Sequence, residues 1–248
     1  MKLRMSWKAQ LIAVLIGLSL AFYALHYLIF HDLRHIAIYL ISDIAFMFLN
    51  VLVVVLLIEG LLEQREKKAI LEKMNMVIGT FFSEVGLELL RRFAVFVENP
   101  DKLSPSVSIE PQWTPRDFEN ARQAARGFSY AIRPDPAQLA ELRRLLTAKY
   151  PFLLRLLENP NLLEHASFTD LLWAVFHLAE ELSYRGERLD SLPANDYLHL
   201  AGDLKRAYSQ IVSEWIAYVE HLKGTYPFLY SLAVRINPLS PHPSAIID

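Results

Sequence analysis

The sequence predicts an all-α protein: a transmembrane helical hairpin, a long juxtamembrane helix and a helical cytoplasmic domain. Three observations carry this expectation. Two apolar runs, Ala9 to Phe30 and Ile36 to Leu62, are separated by His31-Asp32-Leu33-Arg34-His35, and among strongly polar residues only Asp43, Asn50 and Glu59 interrupt the second. Beyond residue 63 the chain is charged, with apolar residues at helical spacing and prolines placed as helix punctuation. No stretch shows a convincing period-two alternation bounded by turns, so no sheet is expected.

The hairpin occupies residues 1–62, with spans near 9–30 and 36–58. A helix needs about 20 apolar residues to cross a bilayer, and each run supplies them. The first run is longer than a signal-peptide core and the second follows at once, which argues against cleavage. Lys2, Arg4 and Lys8 precede the first span, and Arg65, Lys67, Lys68 and Lys73 follow the second. In the turn, Arg34 is offset by Asp32. The positive-inside bias places both termini in the cytoplasm of a multi-pass protein of the cell (inner) membrane, with Trp7, Tyr23, Tyr27 and Tyr39 near the interfaces.

Residues 63–97 form the juxtamembrane helix. Glu63 and Lys67 pair at i,i+4, and no stop signal separates this segment from the second span. Ile70, Met74, Val77 and Phe81 repeat at 4-3-4 spacing as an apolar seam, and Gly79, Ser83 and Gly86 form a small-residue face. The seam is the expected self-association surface. The small residues admit either a second backbone or a large side chain of the same domain.

Residues 98–115 hold Pro100, Pro105, Pro111 and Pro115 and are expected as a linker. The cytoplasmic domain, 116–237, begins from helix starts at Thr114-Pro115 and Asp135-Pro136, each a capping residue before proline at the first helical position. Ser167 and Ser191 precede the later helices. Helices are expected near 115–132, 136–149, 151–158, 168–185, 193–223 and 227–236, followed by a mobile tail, 238–248. Tyr150-Pro151-Phe152-Leu153 and Tyr226-Pro227-Phe228-Leu229 echo each other, each expected to restart a helix at proline.

The 248 residues carry a net charge of −2 and no cysteine. Disulfides, thiolate metal sites and cysteine nucleophiles are thereby excluded, and no basic stripe suggests nucleic acid. No nucleophile elbow or phosphate-cradling glycine loop is present, so no catalytic residue and no cofactor are expected. An ionisable group at the depth of Asp43 costs at least about 2.5–3.5 kcal/mol unless paired, hydrated or protonated. Hairpin pairing about Leu33 sets Asp43 level with Tyr23 and near His26, with Asn50 one heptad away. Polar glue is the favoured role for them, and a proton-sensitive site is the other. His31 and His35 in the outer turn are a weak metal pair. Asp170, His177 and Glu181 share one helix, and Asp196, His199 and Asp203 the next. Of these, His177, Glu181, His199 and Asp203 are the metal candidates. The di-metal bundle pattern needs Glu-x-x-His on two helices. Here Asp196-x-x-His199 occurs once and His177-x-x-Glu180 is reversed, so His177 is expected as a satisfied core-edge residue.

The stretches Leu71-Glu72-Lys73-Met74-Asn75-Met76-Val77-Ile78-Gly79-Thr80-Phe81-Phe82-Ser83-Glu84-Val85-Gly86, Ala201-Gly202-Asp203-Leu204-Lys205-Arg206-Ala207-Tyr208 and His221-Leu222-Lys223-Gly224-Thr225-Tyr226-Pro227-Phe228 resemble a family of uncharacterised prokaryotic two-span membrane proteins with a helical cytoplasmic domain. The resemblance implies a bacterial or archaeal origin and carries no activity or site residue with it. The expected function is a non-enzymatic, membrane-tethered interaction, signalling or scaffolding module. Its expected partners are the lipid bilayer and a second copy or another membrane protein. The alternatives are a membrane-anchored helical metalloenzyme and an auxiliary transporter subunit.

Overall fold

The computed structural model describes residues 7–246. Lys2 and Arg4, two of the charges used for orientation, and the last two residues of the tail lie outside the described residues. The chain divides into an N-terminal unit ending at Glu66 and a C-terminal unit beginning at Lys67.

In the N-terminal unit, α1 (Trp7–Phe30) and the first part of α2 (Leu33–Phe81) are joined by His31 and Asp32. The turn is shorter than the five residues expected. His31 takes a left-handed φ of 52°, and the Asp32 carboxylate accepts from the backbone N–H of Arg34 (2.9 Å) and of His35 (3.2 Å), capping α2 at once. Both helices are long and apolar enough to cross a membrane. Up to Glu66 the residues of these helices whose burial is described are exposed except His26, Ile36 and Gly60, which are half-buried.

The C-terminal unit is built from the end of α2, a π turn (Phe82–Gly86), α3 (Leu87–Ala94), α4 (Pro100–Val107), α5 (Pro115–Gly127), α6 (Pro136–Leu157), a short 3₁₀ turn (Leu162–Glu164), α7 (Ala166–Arg185), α8 (Ala194–Thr225) and α9 (Pro227–Arg235). No strand occurs among the described residues, only an isolated bridge between Val97 and Ile132. Helix α8 is central, and α3, α5, α7 and α9 all pack on it. The π turn inserts a residue and re-phases the buried face. Met74, Ile78 and Phe81 precede it, and Phe82, Val85, Leu89, Leu90 and Phe93 continue it. Adjacent Phe81 and Phe82 are thereby both buried, Phe81 edge-on to Phe168 (5.4 Å) and Phe82 edge-on to Trp215 (5.1 Å).

Three of the expected boundaries shift for reasons that the packing makes plain. The linker 98–115 contains α4, whose Leu103 and Val107 are buried along with Ile109 in the same core as Met74 and Leu239. Pro100 stands in the first turn, where its missing N–H is no loss, and the four-residue spacing of Leu103 and Val107 carries the helix past Pro105. Residues 67–97, 98–115 and 116–237 thus contribute to one core. Helix α6 runs through Pro151 to Leu157, because Leu153 and Leu156 keep the buried phase of Leu139, Leu142 and Leu146. Pro227 does begin a new helix, since Tyr226 leaves helical geometry at φ −136° and ψ 74°, so the two echoed segments fold differently. Helix α7 starts two residues early, capped by the His165 imidazole accepting from the Phe168 N–H, not by Ser167. The caps at Thr114 and Asp135 form as expected.

The tail is tied down where it leaves α9. Asn237 is fully buried, and its side-chain oxygen accepts from Trp215 Nε1 (2.8 Å) and from the Leu239 N–H (3.2 Å). Leu239 is buried, and Ser104 Oγ donates to its carbonyl (3.3 Å). Asn237→Ala leaves a buried indole N–H unpaired and is expected to lower stability by about 2 kcal/mol. Denaturation of the full-length protein in detergent measures the loss, and limited proteolysis should cut the tail of the variant sooner. An unchanged midpoint would mean that the indole finds another acceptor.

Candidate functional site

The loop 186–193 turns the chain from α7 back along α8. Gly186 permits the turn with a φ of 64°. The residues that meet across the two helices form rungs: Arg185 with Asp196, Glu181 with His199, and His177 with Asp203. Their numbers rise along α7 as they fall along α8, so the helices run antiparallel, and each rung is about one helical turn from the next.

In the first rung, Arg185 Nε donates to Asp196 Oδ2 (2.7 Å) and Nη2 to Oδ1 (2.6 Å), a bidentate fork. Arg185 Nη1 also donates to the Glu181 carbonyl (2.8 Å) and to its carboxylate. These hydrogen bonds hold the Asp196 and Glu181 carboxyls below their usual range and raise the guanidinium. The other two rungs hold histidines. His199 Nε2 stands 3.5 Å from Glu181 Oε2 and 3.3 Å from Asp203 Oδ2. His177 Nε2 is 3.8 Å from Glu181 Oε1 and 3.6 Å from Asp203 Oδ2. Asp203 is 4% exposed, and its Oδ2 is buried without a hydrogen-bond partner. Its other oxygen lies 3.4 Å from Arg206 Nη1.

The structure thus brings His177, Glu181, His199 and Asp203 together, with donor atoms of His177, His199 and Asp203 all within 4.8 Å of one another. His177 is half-buried at the edge of the core, with the Glu181 and Asp203 carboxylates as neighbours. Asp170, on the same helix, has no part in these pairs. Arg185 was legible as the i,i+4 partner of Glu181 but was not singled out. Neither was Glu214 on α8, which is 3% exposed and whose carboxyl is pushed up by burial.

The hairpin candidates gather only in part. Ser19, Tyr23, His26, His35, Tyr39 and Asp43 line one cleft of about 720 Å³. Asp43 does meet Tyr23 and His26 there, whereas Asn50 does not line it. His31 and His35 do not form a pair. His35 stacks on His26 with centroids 5.8 Å apart, and His31 lies 5.9 Å from Tyr27, because α2 begins between the two.

The seam is spent inside the domain. Met74 and Phe81 are fully buried, and Ile70 and Val77 are half-buried against the same core. A Cβ at Gly79 would stand 2.7 Å from the Tyr218 hydroxyl, and one at Gly86 2.6 Å from the Phe82 ring. The small residues therefore admit side chains of their own domain. Ser83 lines the groove between α2 and α8 with Gly79, Tyr218 and His221. Ile70, Met74, Val77, Phe81, Gly79 and Gly86 are accordingly not a self-association surface.

Residues 70–235 match a family described as the C-terminal helical domain of the uncharacterised protein MJ1433, and residues 2–62 match the N-terminal helical domain of the same protein. The interval between the matches contains the boundary at Glu66 and Lys67. The uncharacterised protein MJ1433 of Methanocaldococcus jannaschii is 43% identical over 234 residues, covering 94% of this chain and 93% of that protein. No solved structure matches.

Arg185→Ala is expected to lower stability by about 2 kcal/mol at neutral pH, since it removes charge-assisted bonds to two carboxylates. Both carboxyls are depressed in the folded state below their ordinary values of 4.5 and 3.8 by the hydrogen bonds from Arg185. Their contribution is complete above those values and is lost as pH falls through the lower folded ones. Parent and variant denaturation midpoints should therefore converge as the pH is taken from 7 towards 3. A difference that stays constant would show that the arginine acts through packing alone.

Proposed function

The chain belongs to the family of the uncharacterised protein MJ1433, and we propose that it is a two-span membrane protein that works as a membrane-tethered, non-enzymatic interaction module. The observation that carries this reading is the exposure of the hairpin. None of the apolar windows of its two helices is buried. Apolar surface of that extent exceeds what a water-soluble chain leaves uncovered. Lipid satisfies it, and the intrahelical hydrogen bonds leave no backbone group unpaired in hydrocarbon.

The charge flanks support an orientation with both ends in the cytoplasm and the His31–Asp32 turn on the far side. Helix α2 passes from the apolar run into the C-terminal unit without a break, ending in the buried residues Met74, Ile78 and Phe81. Asp43 and Asn50 are the hairpin groups that a second copy or a membrane partner would satisfy by hydrogen bonding.

The absence of cysteine gives a clean test. Arg34→Cys and His242→Cys each introduce a single thiol, one in the turn and one in the tail. In intact cells a membrane-impermeant maleimide should label the first and not the second, and permeabilisation should expose the second. The protein should stay in the membrane fraction after alkaline carbonate. Extraction by carbonate, or labelling of the tail in intact cells, would overturn the reading.

A further inference from the structure

We propose that His177, His199 and Asp203 ligate a single divalent transition-metal ion of the zinc class, with Glu181 facing the fourth position. Zinc bonds to imidazole nitrogen and carboxylate oxygen are about 2.0–2.2 Å, so neighbouring ligand atoms in a tetrahedral site lie about 3.4 Å apart. The observed separations to Asp203 Oδ2 are 3.3 Å from His199 and 3.6 Å from His177. Those to the Glu181 oxygens are 3.5 and 3.8 Å. The same distances are too long for charge-assisted hydrogen bonds, which close to about 2.7–2.9 Å. The donor atoms of His177, His199 and Asp203 all lie within 4.8 Å of one another, so these three groups surround a point more than they bond to one another.

Asp203 Oδ2 supplies a second, independent observation. It is buried with no donor, and it faces both imidazole nitrogens. A carboxylate oxygen in that state carries its full desolvation penalty, and a cation at the centre of the cluster removes it. The histidines are partly exposed, at 43% and 51%, and leave the ion a way in. The supporting contacts are also in place. Arg206 approaches the outer oxygen of Asp203, and Arg185 holds Glu181 while Asp196 neutralises it. Such outer partners fix ligand orientation. Two imidazoles with a carboxylate suit zinc and its first-row neighbours, whereas calcium and magnesium take oxygen ligands almost alone.

The test uses full-length protein in detergent, stripped with chelator and titrated calorimetrically with zinc alone. One zinc per chain is expected, with an accompanying rise in melting temperature. Asp203→Asn keeps the shape of the side chain and should weaken binding by about 100-fold, and His199→Ala should do the same from the exposed rim. Without metal, Asp203→Asn should melt no lower than the parent, because it takes the charge off a buried oxygen that has no hydrogen-bond partner. If Asp203→Asn fails to fold, His199→Ala decides. His35→Ala, which removes the hairpin imidazole that stacks on His26, should change nothing. No binding by the parent, unaltered affinity in His199→Ala, or loss of binding in His35→Ala would overturn the proposal. Each of these outcomes leaves the membrane topology untouched.

Discussion

A helix can be buried around its whole circumference only if other helices cover every side of it, and α8 is covered in that way. Six consecutive residues, Ile211 to Ile216, are all buried. At 100° per residue they sweep more than a full turn, so no face is left for solvent. Helices α3, α5, α7 and α9 supply the cover, and Gly79 near the end of α2 and Phe82 of the π turn add to it against Tyr218 and Trp215. Complete coverage leaves polar residues of α8 inside. Ser213 accepts from Arg126 Nε (3.0 Å). Glu214, pushed up by burial, lies close to Ser167, His165, Arg126 and Arg122. Asp203 lies further along the same helix, where α7 covers it.

The same requirement explains which parts of the fold were legible in the sequence. Caps are local, so Thr114 and Asp135 could be read directly, and so could the unbroken passage from the second apolar run into the seam. Proline was read locally as well, and there tertiary packing won. Pro151 removes one hydrogen bond from α6, but Leu153 and Leu156 on the next turns are anchored in the core, and burial of two leucines outweighs one missing bond. Leu103 and Val107 do the same for Pro105. The tail looked mobile because its prolines and serines have no period. What holds it is Asn237 beneath Trp215, a contact between residues 22 positions apart that no local pattern announces.

The seam shows a related limit. An apolar stripe at 4-3-4 spacing states that a helix face is covered and leaves open what covers it. Met74 and Phe81 looked available to a second chain only because α7 and α8 come so much later in the sequence. Gly79 and Gly86 are small for the same internal reason, since Tyr218 and Phe82 occupy the space.

Along the α7–α8 interface, neighbouring rungs have been given different cations. The rung nearest the loop pairs Asp196 and Glu181 with Arg185, a permanent charge in a bidentate fork. A structural ion pair asks for nothing more, and arginine serves it best. One and two turns further, the carboxylates of Glu181 and Asp203 face His199 and His177. Neither imidazole makes a fixed bridge of that kind, because the distances to the carboxylates are too long for one. Arg206 reaches only the outer oxygen of Asp203, and the inner oxygen is left facing both rings. The exchange of arginine for histidine between successive turns of one helix pair separates an end closed by a bidentate fork from a cluster whose polar atoms face one another at longer distances.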